Sequence, residues 1–207
     1  MKVKQPNTAM IILAAGRSKR LGVIKQNLPW KNTTLLGHVI EQGLASDIDE
    51  VFVVVGANAK SILNKIYSYD ITIIRNGNWQ QGMGSSIAYA IHNISEKTLN
   101  FDATLIALAD QPLIESKHYN KLIYSLYEYN KTIIATQIDG RAGVPAIFDS
   151  KHFNSLSKLN KDYGARNILS AKSEEVKTID IGNKIADIDT IQTYELLYKQ
   201  FGTPMKN

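Results

Sequence analysis

A chain of 207 residues, 44% hydrophobic and 21% charged, has the composition of an ordinary soluble globular protein and the length for one α/β domain with a sizeable core. It holds no cysteine, which excludes disulfides, thiolate metal sites and a cysteine nucleophile. Its net charge of +5 suits an anionic small substrate, no Lys/Arg tract alternates with aromatics as in a nucleic-acid binder, and no apolar run approaches the ~18 residues of a membrane span.

The first apolar run, Met10-Ile11-Ile12-Leu13, reads as a buried parallel strand. A helix is expected over Thr33–Ala45, where Leu36, Val39, Ile40 and Leu44 form one stripe and Thr33 stands near the cap. Strand Val51–Val55, ending at Gly56, helix Ala59–Tyr67, strand Ile71–Ile74 and helix Ser85–Ile94 follow. Then come strand Ala103–Ala109, a helix over Ser116–Glu128 and strand Thr132–Gln137. The last third is more mixed: a short strand at Pro145–Phe148, helices near Lys151–Lys158 and Ala165–Ala171, strand Val176–Ile179 and a closing helix Ile191–Phe201. Met1–Thr8 lacks the apolar core of a secretory signal, so the cytoplasm is the expected location. His38, His92, His118 and His152 lie far apart without metal-ligand spacing and read as surface or packing residues.

Strands alternating with helices, without a linker-like or repeated stretch, imply one domain over 1–207. Its expected fold is a three-layer α/β/α sandwich around a mostly parallel, Rossmann-like sheet. Ligands of such sheets bind beyond the carboxyl ends of the strands. Those ends are Gly16, Gly56, Arg75-Asn76 and Asp110, so glycine and polar residues gather at one edge.

The stretch after the first strand carries the strongest chemistry. Ala14-Ala15-Gly16 removes side-chain bulk so that a ligand can approach the backbone. Arg17, Lys19, Arg20 and Lys25 then bring four cations within nine residues and no carboxylate. Exposed N–H groups and clustered cations at a strand's carboxyl end can hold a polyphosphate, although a solvated basic loop has the same composition. A Walker A loop is excluded, because Gly22 is followed by Val23, Ile24 and only then Lys25; the dinucleotide fingerprint is missing too. Asp110 follows a buried strand, where a hard carboxylate suits Mg²⁺ or simply caps the turn before Pro112. In Asn76–Ser86, Gly82 and Gly84 permit close approach. There Ser85 and Ser86 either cap the helix or face a ligand, and Trp79 is either a core aromatic or part of a base site.

The pattern L-A-A-G-x-S-x-R-x-G-x-x-K-x-x-L-P over Leu13–Pro29 resembles the signature of nucleotidyltransferases that load CTP or GTP onto molybdopterin. The nearest resemblance is to the molybdenum cofactor cytidylyltransferase branch, since the guanylyl branch has a second glycine where Ala15 stands and one more residue before the lysine. The resemblance implies a nucleotidyltransferase (GT-A-like) fold with a nucleotide-binding half over about 9–112 and an acceptor-binding half over about 113–201. It implies that Lys25 contacts the triphosphate and that Lys25, Arg20 and Asp110 are catalytic. Leu13, Ala14, Ala15, Gly16, Arg17, Ser18, Gly56, Asn76, Gly82, Ser85 and Ser86 would line the nucleotide with Lys25, the last segment matching N-x-x-W-x-x-G-M-x-S-S. Leu108-Ala109-Asp110-Gln111-Pro112 is similar to the metal-aspartate motif, and Asp187-Ile188-Asp189-Thr190 to a D-x-D-T motif that supplies a second carboxylate. Asp110 and Asp189 are thus the implied Mg²⁺ ligands, Asp189 being favoured over Asp187, although Asp189 could equally be a helix N-cap.

On the acceptor side, Gly140–Pro145 resembles G-R-x-G-x-P with Val144 where relatives often carry His or Asn. Asp162–Arg166 resembles G-D-x-G-A-R with Lys161 in place of the first glycine. Arg141 and Arg166 are the implied acceptor contacts, Arg166 reading equally as a surface cation paired with Asp162. The implied reaction transfers CMP from CTP to the phosphate of molybdopterin, with a molybdoenzyme as recipient of the product. The alternatives are a sugar- or polyol-phosphate nucleotidyltransferase, a glycosyltransferase and a non-catalytic nucleotide-binding module.

Overall fold

The computed structural model describes residues 7–18, 20–97, 99–160, 164–182 and 185–203. Strands β1 (Thr8–Leu13), β4 (Glu50–Val55), β5 (Thr72–Arg75) and β6 (Ala103–Leu108) form the parallel half of a seven-stranded sheet, in the order β5-β4-β1-β6. The sheet continues through β8 (Arg141–Asp149), β7 (Ile133–Ile138) and β9 (Val176–Asp180). β8 runs antiparallel to both of its neighbours, while β9 is parallel to β7. Between β1 and β4, a two-stranded ribbon pairs β2 (Pro29–Trp30) with β3 (Thr33–Thr34).

β1 is buried along its whole length, and its side chains alternate between two cores. Met10 and Ile12 pack toward α1 (Leu35–Leu44), α2 (Ala59–Ile66) and α4 (Ser116–Glu128). Ala9, Ile11 and Leu13 pack toward α3 (Met83–Ser95), α5 (Phe153–Leu156) and α6 (Arg166–Ala171). The expected three-layer, mostly parallel architecture is therefore the observed one. A third cluster gathers Trp30, Leu35 and Ile188 with Tyr194 and Leu197 of α7 (Ile191–Leu197), anchoring the last segment of the chain beside the carboxyl ends of β1 and β6. Among the described residues no helix is long and apolar enough to cross a membrane.

Several element boundaries differ from the sequence reading, each for a local reason. The helix expected from Thr33 begins at Leu35, because Thr33 and Thr34 pair with the β2 strand and Thr34 Oγ1 accepts the N–H of Gly37 at 3.0 Å as the cap. The short strand expected at Pro145–Phe148 is the end of a nine-residue strand joined to β7 by a hairpin. Asp139 and Gly140 both take positive φ (47° and 74°), the condition for a two-residue turn that matches strand twist. The Lys151–Lys158 helix shortens to a 3-10 turn followed by α5, and the closing helix ends at Leu197 in a wider π-type turn over Tyr198–Gly202. His38, His118 and His152 are buried, and the rings of His118 and His152 bond Thr136 Oγ1 (2.8 Å) and Thr132 Oγ1 (2.9 Å).

Candidate active site

The carboxyl ends of β5, β4, β1 and β6 lie side by side, and the loop leaving β1 crosses that edge. Ala14 N–H still bonds Val54 O (2.9 Å) and Ala15 O accepts from Ala57 N (3.1 Å), so the loop leaves the sheet only at Gly16. A Cβ built on Gly16 would meet nothing within 4 Å, as expected of backbone left open toward a ligand. The loop is then folded back by Gln26, 2% exposed, whose Nε2 donates to Ala14 O (2.9 Å) and Gly16 O (3.1 Å). Ser18, at φ 53°, donates through Oγ to Gln26 Oε1 (3.3 Å) and accepts the N–H of Lys25 (3.3 Å). These bonds close the basic loop on itself and aim Lys25 back at the sheet edge.

Lys25 meets two carboxylates there. Its Nζ donates to Asp110 Oδ2 in a very short contact and lies 3.3 Å from Asp189 Oδ1. Arg20 Nη2 holds the other oxygen of Asp189 at 2.9 Å. Asp189 reaches Asp110 because Ile188 N–H donates to Asp110 O (3.0 Å) and the Ile188 side chain is fully buried in the third cluster. The N-cap of α7 is Thr190, whose Oγ1 accepts from Thr193 N (3.1 Å), so Asp189 is not the cap. Nor does Asp110 cap a turn: its Oδ2 goes to Lys25, and its Oδ1 is buried without a partner. Burial pulls the Lys25 ammonium down, but Asp110 and then Asp189 outweigh it and hold the group above the ordinary lysine value. Asp187 stands apart from this pair, with its Oδ1 accepting from Gln111 Nε2 at 2.9 Å. Burial, partly offset by the Gln111 bond, and the neighbouring Asp110 and Asp189 push its carboxyl above the usual carboxylate range.

Among the described residues no three His, Cys, Asp or Glu side chains form a metal cluster. Two hard carboxylates at one point, one with an orphaned buried oxygen, do fit a cation such as Mg²⁺ that takes one or two carboxylates and completes its shell with phosphate and water oxygens.

A cavity of about 440 Å³ opens over this edge. Leu13, Ala15, Gly16, Arg17, Ser18, Lys25, Gly82, Ser86 and Asp110 line it, together with Gln26, Trp79, Gln80, Met83, Leu108 and Ala109. Ala14, Gly56, Asn76 and Ser85, expected at the nucleotide, are not among its lining residues. Ala14 is buried in the sheet. Asn76, 3% exposed, clamps its own loop: Nδ2 donates to Ser85 Oγ (3.1 Å) and Ser86 Oγ (3.0 Å), and Oδ1 accepts from Asn78 N (2.9 Å). Ser85 Oγ donates to Gly82 O (2.8 Å). Gly56 is small because a Cβ there would fall 2.5 Å from Trp79 Cβ and 3.0 Å from Ala15 Cβ. Its bareness lets Trp79 seat against the loop. Arg20 and Asp189 also stand outside the lining, at the rim, joined to it through Lys25.

A second cavity of about 330 Å³ shares the walls Leu13, Met83 and Leu108 with the first. Gln111, Gly143, Val144, Arg166 and Asp187 line it with apolar side chains. Arg166 is therefore at an acceptor-side cavity, whereas Arg141 is exposed at the start of β8, paired across the hairpin with Ile138, and lines neither cavity. Lys19 and the Lys161-Asp162-Tyr163 segment, with its expected Asp162–Arg166 pair, lie outside the described residues. The residues that sequence reasoning passed over are the two glutamines. Each directly follows a charged site residue, Gln26 after Lys25 and Gln111 after Asp110, and that adjacency was the available signal.

The sequence model of the MobA-like NTP transferase domain matches residues 10–176. The chain is similar to the nicotine blue oxidoreductase of Paenarthrobacter nicotinovorans, 32% identical over 202 residues that cover 93% of this chain and 97% of that protein. It is 25% identical over 210 residues to the purine catabolism protein PucB of Bacillus subtilis (strain 168), covering 94% and 98%. Among solved structures, the homologue of Mycobacterium tuberculosis Rv0371c from Mycobacterium sp. strain JC1 superposes with a TM-score of 0.79 at 27% identity, over 93% of this chain and 96% of that one. Rv0371c itself, solved in complex with manganese, superposes at 0.77 with 21% identity, over 93% and 98%.

Proposed function

The chain belongs to the MobA-like NTP transferase domain family, a family of nucleotidyltransferases, and within it we propose that the protein moves CMP from CTP onto the phosphate of molybdopterin and releases pyrophosphate. The observation that carries this reading is Lys25, held by Gln26 and Ser18 in the basic loop and set between Asp110 and Asp189 on the wall of the larger cavity. The triphosphate lies along Gly16–Ser18 and Lys25, where open backbone and cations meet its charge. The base faces Trp79 and Gln80, and the acceptor occupies the adjoining cavity with its phosphate toward Asp110. An oxygen of that phosphate attacks the α-phosphorus in line, the bond to the β-phosphate oxygen breaks, and pyrophosphate leaves. No covalent enzyme intermediate is needed, so the chain contributes positioning and charge neutralisation.

Asp110 and Asp189 would hold a divalent cation, Mg²⁺ in the cell, and it would neutralise phosphate charge there; the manganese complex of Rv0371c supports a divalent metal in this fold. Lys25 would then be free to meet the triphosphate, and Arg20 at the rim would offset Asp189. The two-residue spacing between Gly22 and Lys25, together with Ala15, favours CTP over GTP, and a pocket sized for a pyrimidine penalises the larger purine. The nucleotide cavity draws its lining from residues within 9–112, while the acceptor cavity takes walls from both proposed halves, so transfer occurs at their seam. A protein using CTP and a cofactor precursor would work in the cytoplasm, with a molybdoenzyme as recipient of the product.

The test is pyrophosphate release with each nucleoside triphosphate against molybdopterin and against sugar and polyol phosphates, with mass spectrometry of the product. A CMP adduct of molybdopterin is expected. An adduct formed only with a sugar or polyol phosphate moves the protein to that class of nucleotidyltransferase. Oxidation of reduced nicotinamide without pyrophosphate release would replace transfer by the redox activity in the name of its Paenarthrobacter relative.

A further inference from the structure

We propose that Asp187 is the residue that recognises the acceptor, taking the hydrogen-bond donors of a heterocycle that presents a ring N–H beside an exocyclic amino group, and that Gln111 is the positioning residue that holds it for that task. The inference rests on the nucleotidyl-transfer reading, and it separates the two aspartates that flank Ile188.

The separation is geometric. Asp189 turns toward Lys25 and Arg20, at 3.3 and 2.9 Å, and joins Asp110 at the larger cavity. Asp187 is exposed on the wall of the smaller cavity, and its polar tie is to Gln111. The Ile188 side chain between them is buried in the third cluster and anchors the segment that carries both.

Gln111 makes this placement specific. Its side chain is 2% exposed, and Nε2 donates both to Asp187 Oδ1 (2.9 Å) and to Val144 O (3.2 Å). Both partners can only accept, so the amide orientation is dictated by its neighbours, and Oε1 is left buried without a donor. Beside the Arg166 guanidinium, the polar lining of the cavity therefore carries the Asp187 carboxylate, tied through Gln111 Nε2 to the Val144 carbonyl. A ligand that satisfies this carboxylate must bring donors of its own. The remaining lining includes Leu13, Met83, Leu108, Ile138 and Leu169, apolar side chains that suit the face of a flat ring. A carboxylate that receives two parallel N–H bonds from adjacent ring and amino nitrogens gains the strength and angular selectivity of a charge-assisted bidentate pair. Val144 loses nothing as a side chain in this scheme, because its carbonyl is the group in use.

The experiment compares wild type, Asp187→Asn, Gln111→Met and Asp189→Asn, each first checked for native circular dichroism and melting temperature. Two probes are titrated calorimetrically: pterin, which carries a ring N–H beside an amino group, and a pterin N-methylated so that it carries neither donor. Wild type is expected to favour pterin by ten-fold or more, and Asp187→Asn, which offers an amide N–H to the same edge, should lose that preference. Gln111→Met should weaken pterin several-fold through its effect on Asp187. In turnover, both variants should raise the acceptor KM while the half-saturating Mg²⁺ concentration stays at the wild-type value, whereas Asp189→Asn should raise the Mg²⁺ requirement. A rise in the Mg²⁺ requirement for Asp187→Asn equal to that of Asp189→Asn overturns the proposal, as does a wild type that binds neither pterin or binds both alike. CTP binding, followed by Trp79 fluorescence, stands apart from these readings. If CTP is bound and used on another acceptor while pterin is ignored, the ligand class fails and nucleotidyl transfer stands. If no nucleoside triphosphate binds, nucleotidyl transfer itself fails.

Discussion

Lys25→Met keeps the length of the side chain and removes the charge that two carboxylates share. The side chains of Lys25 and Asp110 are only 16% and 14% exposed, so most of their interaction is shielded from solvent, while Asp189 at 37% is partly screened. Deleting one partner of a buried pair costs about 3–5 kcal/mol because the other charge is left uncompensated. With the exposed share of Asp189 discounted, about 3 kcal/mol is expected here. In a chain of 207 residues that corresponds to a melting temperature lower by about 6–12 °C. Added Mg²⁺ or Mn²⁺ should recover more of this loss in the variant than it adds to wild type, since the carboxylates no longer have a competing ammonium. Turnover should fall by about 10²–10³-fold at saturating metal, as for the loss of one electrostatic stabiliser of a transition state. Because the folded-state pKa of Lys25 is raised, its stabilisation is complete below the ordinary lysine value of 10.5 and is lost only as pH climbs through the higher folded value. Scanning calorimetry with and without metal, alongside pyrophosphate release, reads all of this. A variant that melts within about 1 °C of wild type, gains nothing extra from metal and turns over normally would refute the assignment.

Asp110→Asn preserves shape and removes one charged oxygen, so the half-saturating concentration of Mg²⁺ or Mn²⁺ should rise and turnover should drop by about 10²-fold or more; normal turnover at limiting metal argues against it. Gly56→Ala drives a methyl into Trp79 and Ala15, at 2.5 and 3.0 Å, which should cost about 1–3 kcal/mol and raise the nucleotide KM through displacement of Trp79. An unchanged KM in a folded variant would show that Trp79 is not at the base. Burial first, with Lys31 and Lys121 adding to it, pushes His38 and His118 down to about 4 against a backbone bond to Pro112 that favours protonated His38. The unfolded chain therefore takes up protons first, so stability is flat above pH ~6.5 and falls between there and pH ~4, by about 3 kcal/mol for each ring. Urea midpoints measured at pH 7, 5.5 and 4.5 should decrease in that order; equal midpoints would mean that the two rings titrate normally.

The sequence by itself determined the parts of this protein that depend on local order. A short continuous apolar run, bounded by Gly or polar residues, reads as a strand covered on both faces, so β1, β4 and β6 were legible, and with them the edge where their carboxyl ends meet. Gly16, Lys25 and Asp110 stand at fixed offsets from those strands, and the structure sets all three on one cavity wall. The Asp139-Gly140 hairpin, by contrast, went unread: Gly140–Pro145 stood out as an acceptor-side motif, and Pro145 inside the strand disguised the length of β8.

Only the tertiary structure decided how residues distant along the chain divide the work. Asp189 reaches Lys25 across 164 residues, because Ile188 is buried against Trp30 and Leu35 and donates its N–H to Asp110 O. No periodicity in the sequence expresses that contact; the resemblance favoured Asp189 over Asp187, but only the fold shows what each one touches. The two glutamines were silent for the same reason: an amide has no distinctive pattern until its donors and acceptors are placed, and Gln26 and Gln111 become site residues only through carbonyls and a carboxylate brought to them by the fold. Asn76, Ser85 and Gly56 show the converse. Their polar or small character fits ligand contact in one dimension, and in three dimensions it is spent on clamping a loop and seating Trp79.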